Sequence, residues 1–259
     1  LYQQLFFMKQ PLLVIFLLFT LTGHSQKKAA DSIPFQKEIP FKFTSLIVPT
    51  GLITYGILGI KNDPIKQWDV DIRTRLQPDR AKISIDDYVL YLPIAAVYGL
   101  NLSGIEGRNN LLDRTVILGT STLFMYASVN LIKNNTNIRR PSGRSQSSFP
   151  SGHTAISFMA AEFLHQEYGH VSPWYSITGY AVAATTGFLR VYNDKHWFSD
   201  VAAGAGIGIL SAKMAYWLHP LIKNVIFKNR TKKRESRVQL NVAPLYTGSE
   251  LLLAASINF

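Results

Sequence analysis

Four stretches of this chain, 43–60, 88–105, 115–132 and 171–189, each run for at least 18 residues without Asp, Glu, Lys or Arg. A helix of about 20 apolar residues crosses the hydrocarbon core of a bilayer, where no water can satisfy backbone left outside a helix. Two more segments share this character with a few charges: 153–168, which holds Glu162 and Glu167, and 201–218, which holds Lys213. In the last, Ala202 with Gly206 and Gly204 with Gly208 repeat small residues at four-residue spacing. Such stripes let helices approach closely where lipid supplies no hydrophobic drive. The expected fold is all-α, a six-helix membrane-embedded bundle with short connections except across 61–87. A soluble bundle of simply buried helices is the competing fold, and four uncharged stretches behind a leader weigh against it. Segment 43–60, with Pro49, Gly51, Gly56 and Gly59, is the one expected to fall short of a full crossing.

The flanks differ from this middle. Residues 1–25 read as a signal peptide or N-terminal anchor: Lys9 follows Met8, Leu12 to Leu21 are apolar, and Gly23-His24-Ser25 offers small residues for a cut. Residues 26–42 are polar and Pro-punctuated, a surface segment, and 43–222 form the helical domain. Residues 223–259 read as a basic tail and a small β-hairpin, since Leu251, Leu253, Ala255, Ile257 and Phe259 alternate at period two. One hairpin cannot close a membrane barrel.

Lys plus Arg number 27 against 16 Asp plus Glu, a formal charge of +11 concentrated in two places. Residues 223–237 carry a local +6, as basic residues do on the cytoplasmic side of a last span, and 133–144 carry +4 with no acid. The complete lack of Cys excludes disulfide staples, thiolate metal sites and a cysteine nucleophile.

Three clusters sit at helix boundaries: Lys133 with Arg140-Pro141, Pro150-Ser151-Gly152-His153, and Arg190 with His196 and Asp200. Lys133, Arg140 and Arg190 are fixed cations, and guanidinium forks match phosphate oxygens. Ser151 and Gly152 open a helix, where free N–H groups and the helix dipole favour an anion. Pro141 and Pro150 bracket the 142–149 loop as a helix end and a helix start. His196 and Asp200, four apart, share a face of a helical turn. The carboxylate can then accept from one ring nitrogen and leave the other free to attack, with His153 as a second imidazole available as an acid. Taken singly, each piece has a plain structural use: an interface cation, a helix cap, a satisfied buried histidine. Jointly, the third and fifth helices end with clusters while the fourth and sixth begin with them. An up-and-down bundle therefore brings all three to one side.

These motifs resemble the three signatures of the type 2 phosphatidic acid phosphatase superfamily, over roughly residues 45–220 with the specific positions confined to 133–200. The resemblance implies metal-independent removal of phosphate from a membrane lipid phosphate, with no cofactor. It implies His196 as the nucleophile that forms a phosphohistidine, oriented by Asp200. It implies His153 as acid and then base, and Lys133, Arg140, Ser151, Gly152 and Arg190 as the phosphate cradle. Leu189 departs from the Ser that most members carry before the third-motif Arg, which removes one hydrogen bond to the phosphate. Phosphotransfer from the same phosphohistidine, vanadate-dependent haloperoxidase chemistry and plain binding of anionic lipid through 223–237 are the competing functions. The expected partners are the lipid substrate and the bilayer, with no nucleic acid and with oligomeric state open. The expected location is a bacterial-type inner membrane with the site facing the periplasm. Three full crossings after a cleaved signal would put Lys133–His153 in the cytoplasm, so that location requires an uncleaved first segment or one stretch that does not span.

Overall fold

Helix boundaries in this chain follow its capping residues. The computed structural model describes residues 40–76, 84–235, 239–246 and 251–258, with side chains to 225. The expected leader and nearly all of the polar segment 26–42 lie outside the described residues. A 3-10 turn, Phe43–Leu46, leads into α1 (Ile47–Lys61), α2 (Asp63–Leu76), α3 (Asp86–Val89), α4 (Leu92–Leu102), α5 (Leu111–Asn135), α6 (Gly152–Tyr168), α7 (Pro173–Tyr192) and α8 (Phe198–Glu235). Asn110 caps α5 by accepting from the Asp113 N–H at 2.9 Å, Ser151 caps α6, and Ser172 caps α7 ahead of Pro173. After α8, strand β1 (Gln239–Tyr246) pairs antiparallel with β2 (Leu251–Asn258), Gln239 opposite Asn258 and Tyr246 opposite Leu251.

Among the described residues, three helical segments are long and apolar enough to cross a membrane: Phe43–Lys61, Leu111–Asn135 and Phe198–Val225. The first of these was the stretch expected to fall short. By length and composition it is long enough, because Pro49 lies in the first turn of α1, where its missing N–H costs nothing. The expected stretches 153–168 and 171–189 are not among these segments, and neither is 88–105. That stretch is divided between α3 and α4, and the 11 residues of α4 rise only about 17 Å. Pro93 in the first turn of α4 cannot extend a preceding helix, so Leu90 and Tyr91 turn and α4 starts afresh. Segment 61–87, expected as a long connection, contains the amphipathic helix α2.

Helix α8 is the axis of the bundle and packs against α1, α5 and α6. Its apolar window is 72% buried, against 17% for Phe43–Lys61 and 22% for Leu111–Asn135. The outer helices therefore turn Ile47, Val48, Ile57, Leu58, Leu123 and Leu131 outward. Charge goes inward: Arg114 donates to Glu167 at 3.0 Å and Lys213 to Glu162 at 2.7 Å, with both carboxylates fully buried. Large apolar residues outside and paired charges inside are what a lipid solvent selects.

The small-residue stripe of α8 serves two partners. A Cβ on Gly208 would lie 2.2 Å from the Ala155 carbonyl oxygen and one on Gly204 2.5 Å from that of Ser151, both in or beside α6. One on Gly206 would meet the Pro49 carbonyl oxygen of α1 at 2.5 Å. Because the obstacles are backbone, they cannot rotate away. Gly208→Ala should lower the thermal midpoint of detergent-solubilised protein, as overpacking of about 1–3 kcal/mol does. Gly119→Ala, on α5 where nothing lies within 4 Å, should hold or raise it through helix propensity. Equal midpoints for the two variants would contradict the close α6–α8 contact.

Candidate active site

Lys133 stands in the last turn of α5, and the chain then takes a folded path over 136–151 before α6 begins. Thr136 hydroxyl donates to the Ile132 carbonyl at 2.9 Å and to the Phe149 carbonyl at 3.1 Å, closing the base of this loop. The Ser148 N–H donates to the Ile138 carbonyl at 2.9 Å, so the two limbs run side by side. Between them Arg140 N–H donates to Ser145 O and Gly143 N–H to Arg140 O, each at 2.9 Å. Gly143 takes φ +72°, a conformation other residues rarely adopt, and so makes the tight turn that presents Arg140. Helix α5 ends at Asn135, earlier than the end expected near Pro141, because this hydrogen-bonded loop replaces the extra helical turn.

The far side of the site comes from the α7–α8 corner. Arg190 lies in the last turn of α7 and is buried, and its Nη1 donates to Asp86 Oδ2 at 2.7 Å and reaches Asp87 Oδ1 at 3.3 Å. Asp194 turns the chain in the left-handed region (φ 61°) and is gripped by Arg73 of α2 through two bonds of 2.8 and 3.1 Å. Asp69, also of α2, accepts from the Ser199 N–H at 3.0 Å and from its hydroxyl, holding the start of α8. Helix α2 thus braces the corner that carries His196. Trp197 Nε1 donates to the Arg139 carbonyl at 2.8 Å and ties that corner to the 136–151 loop. Ser151 N–H donates to the Asp200 carbonyl at 3.0 Å and ties α6 to α8.

His196 is buried with Nδ1 2.8 Å from the Ser148 carbonyl oxygen and 3.6 Å from Asp200 Oδ2. The expected imidazole–carboxylate hydrogen bond is therefore replaced by a bond to a backbone carbonyl, with Asp200 as a nearby charge. The reason is local. Helix α8 starts at Phe198, so His196 lies outside it, and Asp200 Oδ2 already accepts from Trp197 N–H at 2.9 Å and from the Ser148 hydroxyl. With Nδ1 holding the proton, Nε2 is left with its lone pair. His153, half-buried on the first turn of α6, has Nε2 3.0 Å from Asp87 Oδ1.

Lys133, Arg140 and Arg190 lie close enough to repel one another, and Lys133 and Arg190 both act on His196. The Nε atoms of Arg140 and Arg190 are buried and have no hydrogen-bond partner among the described residues. Burial, and then the charge of Arg190, holds the Arg140 guanidinium below its ordinary value. A Cβ added at Gly152 would meet the Val129 side chain at 3.8 Å, an ordinary van der Waals contact. All eight residues singled out from sequence thus lie on four helices, α5 to α8, and on the two loops at the α5–α6 and α7–α8 joins, at one end of the bundle. Sequence reasoning missed Asp86, Asp87, Ser148 and the α2 pair Asp69 and Arg73. A stripe of Ile65, Asp69, Ile72, Arg73 and Leu76 was the available signal for α2.

Partly buried cations around an imidazole with a free lone pair make an anion site. The sequence model of the PAP2 superfamily matches residues 114–223, a narrower span than the 45–220 expected. Lipid A 1-phosphatase of Porphyromonas gingivalis is 36% identical over 178 residues, covering 65% of this chain and 39% of that protein. The chain thus spans about two fifths of the length of that curated relative. Among solved structures, Aquifex aeolicus LpxE aligns with TM-score 0.45 and 21% identity over 56% of this chain and 93% of its own. A PAP2-type phosphatidylglycerolphosphate phosphatase from Bacillus subtilis aligns with TM-score 0.45 and 18% identity over 68% of this chain and 98% of its own.

Burial pushes His196 down to about 4; Asp200 pulls it back up, while Arg190 and Lys133 lower it further. Its neutral form therefore persists well below the ordinary histidine range, and only below about pH 4 does the ring become mostly charged. In histidine-labelled protein in detergent, the NMR signal that His196→Gln removes should titrate with a midpoint near 4. A midpoint near the ordinary value of about 6.5 would contradict the burial and the cation neighbours.

Proposed function

We propose that this chain is a phosphatase that removes phosphate from a membrane lipid, through a phosphohistidine on His196. The observation that carries the reading is the convergence of Lys133 and Arg190 on His196, with Arg140 beside both cations and His196 Nδ1 committed to the Ser148 carbonyl. Nε2 then attacks phosphorus while the cations hold the phosphoryl oxygens, with Ser151 and the Gly152 N–H at the start of α6 as further donors. His153 gives a proton to the departing alkoxide and then takes one from the water that releases phosphate. Phosphoryl transfer depends chiefly on positioning and on stabilising charge, so fixed cations can do here what a metal does elsewhere.

Lipid is the proposed substrate class because the site lies at one end of outward-facing apolar helices. An apolar cavity of about 550 Å³, lined by Leu52, Ile72, Phe158, Phe188, Phe198 and Ala202 among others, lies beside it and offers room for an acyl chain. The relative named for lipid A supports a phosphorylated lipid of that kind. The domain is 43–222, a six-helix membrane bundle counting α3 and α4 as one element and leaving the amphipathic α2 outside the count, with the β1–β2 hairpin as an appendage. Helix α8 starts at the site and leads toward the basic cluster 223–237. The tendency of such clusters to stay cytoplasmic supports an inner membrane with the site facing the periplasm.

Purified protein in detergent should release inorganic phosphate from a lipid phosphate at a rate that EDTA leaves unchanged. His196→Ala should lower that rate by about 10³-fold or more, the scale seen when a covalent nucleophile is removed. Full activity in the alanine variant would overturn the assignment, and loss of wild-type activity in EDTA would overturn metal independence.

A further inference from the structure

One carboxylate at the site has no part in the chemistry proposed so far. Asp87, in the one-turn helix α3, places Oδ1 3.0 Å from His153 Nε2 and 3.3 Å from Arg190 Nη1. Its neighbour Asp86 is buried, makes the shorter contact of 2.7 Å to Arg190, and lies within 3.5 Å of the Asn193 amide. Arg190 is therefore anchored through Asp86. What Asp87 adds is a partner for His153.

An imidazole whose Nε2 faces a carboxylate at this distance keeps a proton on that nitrogen, and the other nitrogen is left to exchange one. His196 is arranged the opposite way, with Nδ1 facing the Ser148 carbonyl at 2.8 Å and Nε2 left open. The two rings thus hold opposite tautomers, each fixed by an oxygen on the side away from its work.

We propose that Asp87 is the positioning residue of His153: it fixes the ring and its tautomer so that Nδ1 is the nitrogen that exchanges protons with the substrate. The proposal rests on the phosphatase reading. In the first half-reaction the bond from phosphorus to His196 Nε2 forms as the bond from phosphorus to the lipid oxygen breaks. The Nδ1 proton of His153 moves to that departing oxygen. In the second, a water oxygen bonds to phosphorus as the phosphorus–nitrogen bond breaks, and a proton of that water moves to His153 Nδ1. The Nε2 proton faces Asp87 throughout.

The test is the leaving-group dependence of kcat/KM, which covers every step up to phosphohistidine formation. Asp87 is 53% exposed, so Asp87→Ala leaves no buried gap. Across a series from p-nitrophenyl to alkyl phosphates, this variant should lose about 3-fold or less with the best leaving group and about 30-fold or more with the alcohols. That steeper slope is the signature of a missing general acid. His153→Ala should show the same slope, and adding Asp87→Ala to it should cost nothing further. A parallel loss at every leaving group would overturn the proposal, as would a lower KM with unchanged slope, which would mark Asp87 as a mere competitor of phosphate. Wild-type protein without hydrolysis anywhere in the series would overturn the phosphatase reading, and this proposal with it.

Discussion

The backbones of α6 and α8 touch, and the geometry of the site depends on that contact. Gly208 lies against the Ala155 carbonyl and Gly204 against that of Ser151, distances at which any side chain would force the helices apart. Directly above, the Ser151 N–H reaches the Asp200 carbonyl at 3.0 Å. The contact therefore fixes the cap of α6, with Gly152 and His153 just beyond it, relative to the turn that holds His196. Helices α6 and α8 both start at this level, while α5 and α7 both end there. A separation of an ångström between two glycine-lined backbones would be felt as a misplacement of both histidines, which is why the site sits on packed helices and not on free loops.

Charge at this level is balanced residue by residue. Lys133, Arg140 and Arg190 crowd one space, and left alone they would oppose folding. Asp86 anchors Arg190 at 2.7 Å from a buried position, and Asp200 offsets Lys133 and Arg140 while its carboxylate oxygen is occupied by Trp197 and Ser148. Neither carboxylate consumes all of the cationic donors, since Arg140 Nε and Arg190 Nε stay buried and find no partner among the described residues. A buried guanidinium nitrogen without an acceptor costs stability, and a phosphate oxygen arriving there would recover it. The same logic orders the bilayer region, where Glu162 and Glu167 are tolerated because Lys213, Arg114 and their hydroxyl neighbours meet them.

What the sequence showed and what it hid follow from the range of each interaction. The convergence of Lys133, Ser151, Arg190 and His196 was legible because alternating helix direction is enough to place four helix ends together. The partners of those residues were not. Asp86 and Asp87 precede an uncharged stretch and look like ordinary flanking charges, and their contact with Arg190 spans more than a hundred positions. The bond from His196 to Ser148 goes to a backbone oxygen, which no side-chain spacing can reveal. Helix α2 was hidden because its buried face carries Asp69 and Arg73 as well as Ile65, Ile72 and Leu76, so apolar periodicity alone is weak there. Pro93 was visible, yet an uncharged run of 18 residues outweighed it, and only the fold shows α4 beginning anew.

The environment of His196 couples binding to activation in the proposed reaction. An exposed histidine would be partly protonated near neutrality and unable to attack. Burial removes the proton, and the nearby Lys133 and Arg190 reinforce that effect, so the cations that would hold phosphate also keep the nucleophile's lone pair free. The same change weakens the ring as a base, and a weaker base is a poorer nucleophile. The compensation has to come from the other reactant: phosphoryl oxygens neutralised by three cations leave phosphorus more open to attack and stabilise the charge that develops in transfer. Once phosphate is seated, its negative charge cancels much of the cationic field at Nε2, so the ring becomes more basic at the moment of attack. The Nδ1 proton, held by the Ser148 carbonyl and the Asp200 charge, supports the positive charge that the ring acquires when the phosphorus–nitrogen bond forms.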